Sequence, residues 1–545
     1  MGKQNADALI RSGIFFLIFL FTYAFATDPP LNMSMRSHYD KSGETWADVW
    51  GDGNFLYIGH YFQPRVTILD ISDPDNIKVA KVYNVPSPNN DCSAQEVAVY
   101  DGLMFIGLEY NGKDAIEIVD VRDPYNPKHL TWVVETDYAF EEAHNLFYDP
   151  VNKFLYQANS RDSHVAIYDL RDYNPDDPPA KISDAFYILH TDHDRNTRHG
   201  LSKGGRADIF VHDITVLDGI LYVANWDLGV LLYDVSKFPE EEPRFLGEAP
   251  GNNTHSVWPT PDKKFIVTAE ERQGGGILLF EVVPDGAGGV NLIKRDEYTL
   301  SLSKSYCAHD PLIVDYRVYT AWYQAGVLVH DINPDTKKFE LVASYDTSDA
   351  GTGGYDGCWG VYPFLGKKKI LAGDIQTGAW VLSDDAPWAK KIKPSAVSIV
   401  SGQYVSGSLW DLFESEGKTY DVKAYPYNSG NSSFYTCTEF DFSLEGDYVS
   451  SLGVTVVSKD SVTPATQEIQ IFDVIEGKWI TVDKQRCGTD FMTVSTGDLK
   501  EPLRFVNPGD YVVRVRVIMR WNSVGTLLDE KMSEYDMVRL DVVYQ

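Results

Sequence analysis

A short apolar strand ending in an acidic residue recurs along the first two thirds of the chain. The copies read VTILD ending at Asp70, IEIVD at Asp120, VAIYD at Asp169, VLLYD at Asp234, ILLFE at Glu281, VLVHD at Asp331 and AWVLSD at Asp384. Successive ends lie 50, 49, 65, 47, 50 and 53 residues apart, a period that predicts one four-stranded antiparallel sheet per repeat. Upstream of each copy, alternating apolar runs are split by Asp-Gly or Gly-containing turns, as in HDITVLDGILYVANWDLGVLLYDVS from His212 to Ser236, the pattern of strand, hairpin, strand, strand. The longest interval contains a polar segment from His190 to Asp208, read as an inserted loop whose His190, His193 and His199 are close enough in sequence to lend ligands.

A four-stranded sheet cannot bury both faces alone, so the repeats are expected to stack around an axis as a seven-bladed β-propeller over residues 45–386, with 27–44 a preceding N-terminal segment. Closure would remove most exposed sheet edges; whether N- and C-terminal strands share a blade is left open by the pattern. The strand-ending aspartates precede turns such as Ser72-Asp73-Pro74 and Arg122-Asp123-Pro124, where Asp accepts local amide hydrogens and Pro sets φ, so their first role is structural. The period stops after Asp385. Residues 387–394 read as a linker, and the period-two runs Tyr511 to Met519 and Met537 to Tyr544 predict a C-terminal antiparallel β-sandwich over 395–545. The expected fold class is therefore all-β.

The apolar run, Asp, and Ser-Asp-Pro turn resemble the LVIVD-repeat family of secreted and surface propellers, best at Asp70 to Pro74 and Asp120 to Pro124. The resemblance spans about residues 45–385. It weakens where Lys237 and Phe238 replace the turn and Glu281 replaces the Asp. It implies a propeller and no single chemistry.

Aligning the repeats on their first strands brings His144, His212, His255 and His309 into register, with Ala47, Gln95 and Trp359 at the same place in the other three. The following residues are Asp48, Glu96, Asn145, Asp213, Ser256, Asp310 and Gly360. First strands of a propeller line its channel, so these positions form the candidate ligand site. Converging imidazoles would hold a transition metal, with Asp213, Asp310 or Glu96 as further ligands or as acceptors orienting the rings. Alternatively they bind a small ligand or act as a general base, or each hydrogen-bonds the neighbouring blade and needs no ligand. Trp226 and Trp322, after the second strands of their blades, are candidates to rim the same face and stack on a sugar or peptide; Trp410, Tyr425, Tyr427 and Trp479 are the equivalent candidates in the C-terminal region. HExxH, phosphate-loop and EF-hand spacings do not occur.

The formal charge of −31 is spread along the chain, a surface that repels nucleic acid and anionic lipid and is able to hold calcium loosely. Lys3 and Arg11 precede an apolar run from Ile14 to Phe25 that ends in Ala24-Phe25-Ala26, the form of a signal peptide over 1–26 and too short for a membrane span. Sequons at Asn32, Asn252 and Asn431 fit glycosylation on a secretory route. Of five cysteines, Cys437 and Cys487 are the expected disulfide; Cys307 and Cys358 form a second candidate pair, leaving Cys92 free or bonded to another chain.

Two function classes follow. The first is a secreted, non-enzymatic binding or extracellular-matrix protein whose partners are extracellular proteins or glycans. The second is a metal-dependent extracellular hydrolase or oxidase using the histidine arc. Convergence of the four imidazoles on one point separates them.

Overall fold

The computed structural model describes residues 30–86, 92–109, 116–134, 143–158, 163–183, 185–191, 209–300, 306–348, 355–412, 419–426, 433–444, 449–460, 465–522 and 532–544. Among them the regular structure is all strand apart from three short 3₁₀ turns. The chain divides into two compact units, residues 1–385 and 386–545.

In the first unit every sequence repeat folds as an antiparallel four-stranded group. One such sheet runs, in spatial order, Asp213–Leu217, Ile220–Asn225, Gly229–Asp234 and Arg244–Ala249, so the apolar run that ends in an acid is the third strand. Groups beginning at Asn145–Asp149, Thr254–Pro259 and Ala308–Val314 are built likewise. The two groups that begin at Trp46–Asp52 and Ser93–Tyr100 are joined through the single pairing of His60 with Ala94, and Lys181–Ser183 adds to the second of them in parallel. The last sheet differs in a way that matters for closure. Its outer strand, Met33–Tyr39, comes from the N-terminal segment and pairs antiparallel with Gly378–Asp384.

The seven first strands touch in chain order, and the seventh, Cys358–Tyr362, meets the first, Trp46–Asp52. Apolar clusters straddle each successive pair of sheets. Tyr156, Val165 and Ile167 pack on Ile214, Val223 and Leu231, and Val49, Leu56 and Ile58 of the first sheet pack on Leu371, Ala379 and Val381 of the last. Each such aliphatic side chain, buried from both sides, contributes about 1.5–3 kcal/mol.

The sixth and seventh sheets add a polar lock. Fully buried Arg317 donates through Nη1 to Asp384 at 2.8 Å and through Nε to Asp331 at 2.6 Å, and the Tyr319 hydroxyl donates to Asp384 at 2.8 Å.

The strand-ending aspartates make the expected turns. Asp70, Asp120, Asp169 and Asp234 each accept the backbone N–H two residues on, at 2.9–3.0 Å. Glu281 and Asp331 depart from this pattern. Their strands continue to Pro284 and Asn333, and Glu281 is held instead by Arg295 and Lys337.

The second unit consists of two six-stranded antiparallel sheets. In the first, the path runs Gln403–Ser406, Tyr420–Lys423, Met532–Tyr544, Val449–Asp460 and Met492–Ser495. Residues 387–394, expected as a linker, contain the strand Trp388–Ile392, which pairs with Met532–Tyr544 in that same sheet. The other sheet runs Ala396–Ser401, Ser433–Ser443, Val512–Asn522, Ala465–Asp473 and Lys478–Cys487, with Tyr425–Pro426 beside the second of these.

Cys437 and Cys487 lie in that sheet with two strands between them, and none of the five cysteines is in a disulfide. Three strand spacings of about 4.8 Å hold the pair roughly 14 Å apart, beyond the ~7 Å that a disulfide spans. The expected bridge is therefore absent, and the Cys307–Cys358 candidate is likewise unformed.

Two stability predictions follow from this architecture. Arg317→Met removes the guanidinium from fully buried Asp384 and from partly exposed Asp331, and the unfolding free energy of the first unit, measured in urea, is expected to fall by about 3–5 kcal/mol. His330 is fully buried with neither ring nitrogen hydrogen-bonded, and burial pushes its pKa down to about 3. The unfolded chain takes up a proton below about pH 6.5 that the folded chain refuses, so the wild type loses stability as the pH falls from there toward 3. His330→Leu should stabilise the protein at neutral pH and widen its advantage under acid, read as the difference in Tm between pH 7 and pH 5.

Candidate functional site

Five of the seven first strands carry a backbone irregularity at the aligned position. Pairing skips between Trp46 and Val49, Ser93 and Glu96, Thr254 and Ser256, Ala308 and Asp310, and Cys358 and Gly360. These are β-bulges located where the aligned residues sit. A bulge breaks the two-residue alternation of a strand and re-aims side chains. As a result, consecutive residues such as His309 and Asp310 line one cavity, together with Gln95, Glu96, His144, His212, Asp213, His255, Trp359 and Asp48. The cavity measures about 70 Å³, space for an ion or a few waters. Ser256 Oγ donates to the His309 carbonyl at 2.8 Å and ties neighbouring first strands together at this level.

The four imidazoles form a continuous arc. Ring centroids are 4.2 Å apart for His144 and His212, 4.0 Å for His212 and His255, and 3.9 Å for His255 and His309. His144 Nε2 and His212 Nε2 face each other at 2.9 Å. One ligand atom from each of His144, His212 and His255 lies within 4.8 Å of the other two.

The outer nitrogens at the two ends are engaged from behind. His144 Nδ1 pairs with the Glu109 carboxylate and has Gln95 Nε2 at 3.1 Å, and His309 Nδ1 donates to the Trp359 carbonyl at 2.5 Å. Carboxylates and carbonyls in these positions set the tautomer that leaves Nε2 with its lone pair. Between the two ends, His212 Nδ1 and His255 Nδ1 lie against the backbone of the next histidine without forming a well-shaped hydrogen bond.

Burial and then the neighbouring imidazoles hold His212 and His255 well below the usual histidine range, and burial brings His309 down to about 3. All three are neutral bases at physiological pH, the form that binds a metal. Carboxyls lie beside them. Asp48, Glu96 and Asp213 are raised well above the usual carboxylate range, first by burial and then by one another and Asp310; burial lifts Asp310 to about 7. These groups reach the cavity yet are hemmed in by protein on every other side, so water screens their repulsion poorly.

Three participants escaped sequence reasoning: Glu109, Glu271 and Tyr323. Glu271 lies close to His255 and His309, with ligand atoms within 4.8 Å of one another. It accepts the Tyr323 hydroxyl at 2.8 Å, and burial lifts it to about 7. All three sit at or just after the ends of second strands, and the recurring polar residue there was the available signal.

Trp226 backs the site, its indole stacked on His212 with centroids 5.1 Å apart. Trp322, expected at the rim, is instead fully buried in the cluster between the fifth and sixth sheets, because its strand turns that side chain toward the neighbouring sheet. His190 ends a strand with its ring against His164, while His193 and His199 lie outside the described residues. Trp479 packs on Phe472 and carries the Arg516 guanidinium over its ring at 3.9 Å, which occupies one stacking face. The side chains of Trp410 and Tyr425, and all of Tyr427 and Asn431, lie outside the described residues. Asn252 is exposed, and Asn32 is exposed but uses its side-chain amide to donate to the Val342 carbonyl at 2.9 Å.

No protein-family model matches the chain, and no curated protein matches it. Among solved structures it is similar to U3-55K, with a TM-score of 0.45, 10% identity, and 64% of this chain and 98% of that one covered. It is also similar to the computationally designed Ika8 protein, with a TM-score of 0.40, 7% identity, and 64% and 98% covered. A putative 6-phosphogluconolactonase from Bacteroides uniformis gives a TM-score of 0.39, 12% identity, and 54% and 82% covered. Likenesses at this level carry no argument about function.

The cysteine geometry has a direct check. Alkylation of the denatured, unreduced protein followed by mass spectrometry is expected to label all five thiols; a Cys437–Cys487 cross-linked peptide would contradict the sheet order.

Proposed function

We propose that this chain is a secreted protein of the LVIVD-repeat type, in which residues 33–385 form a seven-bladed β-propeller whose channel is a transition-metal centre. The centre serves a metal-dependent extracellular reaction, hydrolytic or oxidative. The closed order of first-strand contacts and the N-terminal strand in the last sheet support the ring. The two six-stranded sheets of residues 386–545 support a β-sandwich as the second unit. The run Ile14 to Phe25 with its small-residue ending supports secretion. Among the described residues no helix is long and apolar enough to cross a membrane.

One observation carries the metal reading: His144, His212 and His255 bring one ring nitrogen each to within 4.8 Å of the others, and the outermost is oriented by a carboxylate behind it. Two Nε2 atoms 2.9 Å apart cannot both carry hydrogen. Among the described residues the group has three imidazoles and no fourth ligand, which leaves a coordination position open, the arrangement of catalytic sites rather than of closed structural ones. A metal there would act as a Lewis acid or redox centre, and the adjacent carboxyls, raised by burial, would exchange protons with a bound molecule.

Elemental analysis of the purified protein tests this. Stoichiometric copper, zinc or iron is expected in the wild type and absent from the His212→Ala, His255→Ala double variant, while Glu109→Gln weakens metal affinity by about 10- to 100-fold. A metal-free wild type whose Tm is unmoved by added metals would make the arc a structural imidazole stack.

A further inference from the structure

The described residues contain a second ligand triad beside the first. His255, Glu271 and His309 also place one ligand atom each within 4.8 Å of one another. His255 therefore belongs to both groups.

Glu271 has an unusual setting for a carboxyl enclosed by protein. Its neighbours are the Tyr323 hydroxyl at 2.8 Å, the Cys307 thiol and, farther off, His144, and no lysine or arginine among the described residues pairs with it. A buried carboxylate is normally matched by a cation or by several donors, and here a single hydroxyl serves. His309, its partner in the triad, has Nδ1 committed to the Trp359 carbonyl, which leaves Nε2 for a ligand. The two residues thus offer one anionic oxygen and one neutral nitrogen. The shared third member, His255, keeps a buried Nδ1 without a hydrogen-bond partner.

We propose that the channel holds two metal ions, one on His144, His212 and His255 and one on His255, His309 and Glu271, bridged by the two ring nitrogens of His255. The proposal rests on the metal reading above and deepens it. An imidazole serves two ions at once by using both nitrogens, so the bridge forms with loss of the ring N–H proton to solvent and no change in oxidation state. The second ion supplies the positive charge that Glu271 lacks. Tyr323 then acts as a positioning residue, donating to the carboxylate oxygen and fixing its direction.

The test uses copper(II) as the probe on the full-length secreted protein, with weakly held ions removed by dialysis against glycine. Two equivalents are expected to remain. The electron paramagnetic resonance signal should grow with the first equivalent and collapse with the second as the two spins couple through the bridge. Glu271→Gln, nearly isosteric, should retain one equivalent with an uncoupled signal and an unchanged Tm in the metal-free state. His144→Ala should likewise keep a single, uncoupled ion at the other triad. One equivalent in the wild type with a persistent signal, unaltered by Glu271→Gln, would overturn the two-ion centre and leave the single-metal reading standing. No retained copper, zinc or iron would overturn both. Two uncoupled equivalents would overturn the His255 bridge.

Discussion

The first unit depends on each of its sheets burying both faces. A four-stranded sheet with apolar residues on either side is stable only between two others, and the clusters that join successive sheets meet this requirement all the way from the first sheet to the last. The contact between the first and last sheets matters most, because without it two apolar faces would meet water. Two features serve it: Val49, Leu56 and Ile58 pack on Leu371 and Val381, and the N-terminal strand Met33–Tyr39 covers what would be an open edge. An uncovered edge of that kind invites pairing with another chain. One interface further back, Arg317 and Asp384 replace some of the apolar contact with a buried ion pair, which adds directional specificity at the cost of desolvating both charges.

The same arrangement creates the site. Stacked sheets bring their first strands close together, and side chains pointing away from the interfaces converge in a narrow space. Bulges in five of those strands then turn pairs of consecutive residues into it, an imidazole or its equivalent beside a carboxyl. The result concentrates polar groups where water is scarce. Imidazoles there lose their protons, carboxyls tend to keep theirs, and nitrogens on His212 and His255 are left without a good partner. Such a cluster weakens the fold unless something occupies it, because each unsatisfied buried polar group costs about 1–3 kcal/mol. Binding an ion would offset that cost, so occupancy and stability are physically coupled.

Which residues reach the site was only partly readable beforehand. His144, His212, His255 and His309 stood out because tandem repeats place equivalent residues at equivalent depths, and sequence alignment of the repeats therefore carries spatial information. Glu109, Glu271 and Tyr323 come from the ends of second strands, whose direction depends on how far each hairpin twists before it turns. Trp322 shows the converse. It sits one residue before Tyr323, yet its side chain enters the core between sheets while Tyr323 reaches Glu271. Cys437 and Cys487 show a related limit: strand-like segments of one small domain are expected to be adjacent, whereas strand order interposes two other strands.

By itself, the sequence determined the all-β class, the repeat period, the turn chemistry of Asp70, Asp120, Asp169 and Asp234, and the register of the four histidines. Each of these follows from local rules, namely alternation, the affinity of Asp for nearby amides, and periodic spacing. Only the tertiary structure decided that Met33–Tyr39 completes the last sheet, that Trp388–Ile392 joins the second unit as a strand, and that Glu271 comes within 4.8 Å of ring nitrogens of His255 and His309. These outcomes depend on contacts between residues far apart in the chain, where packing and bulge geometry select among partners that local patterning treats alike.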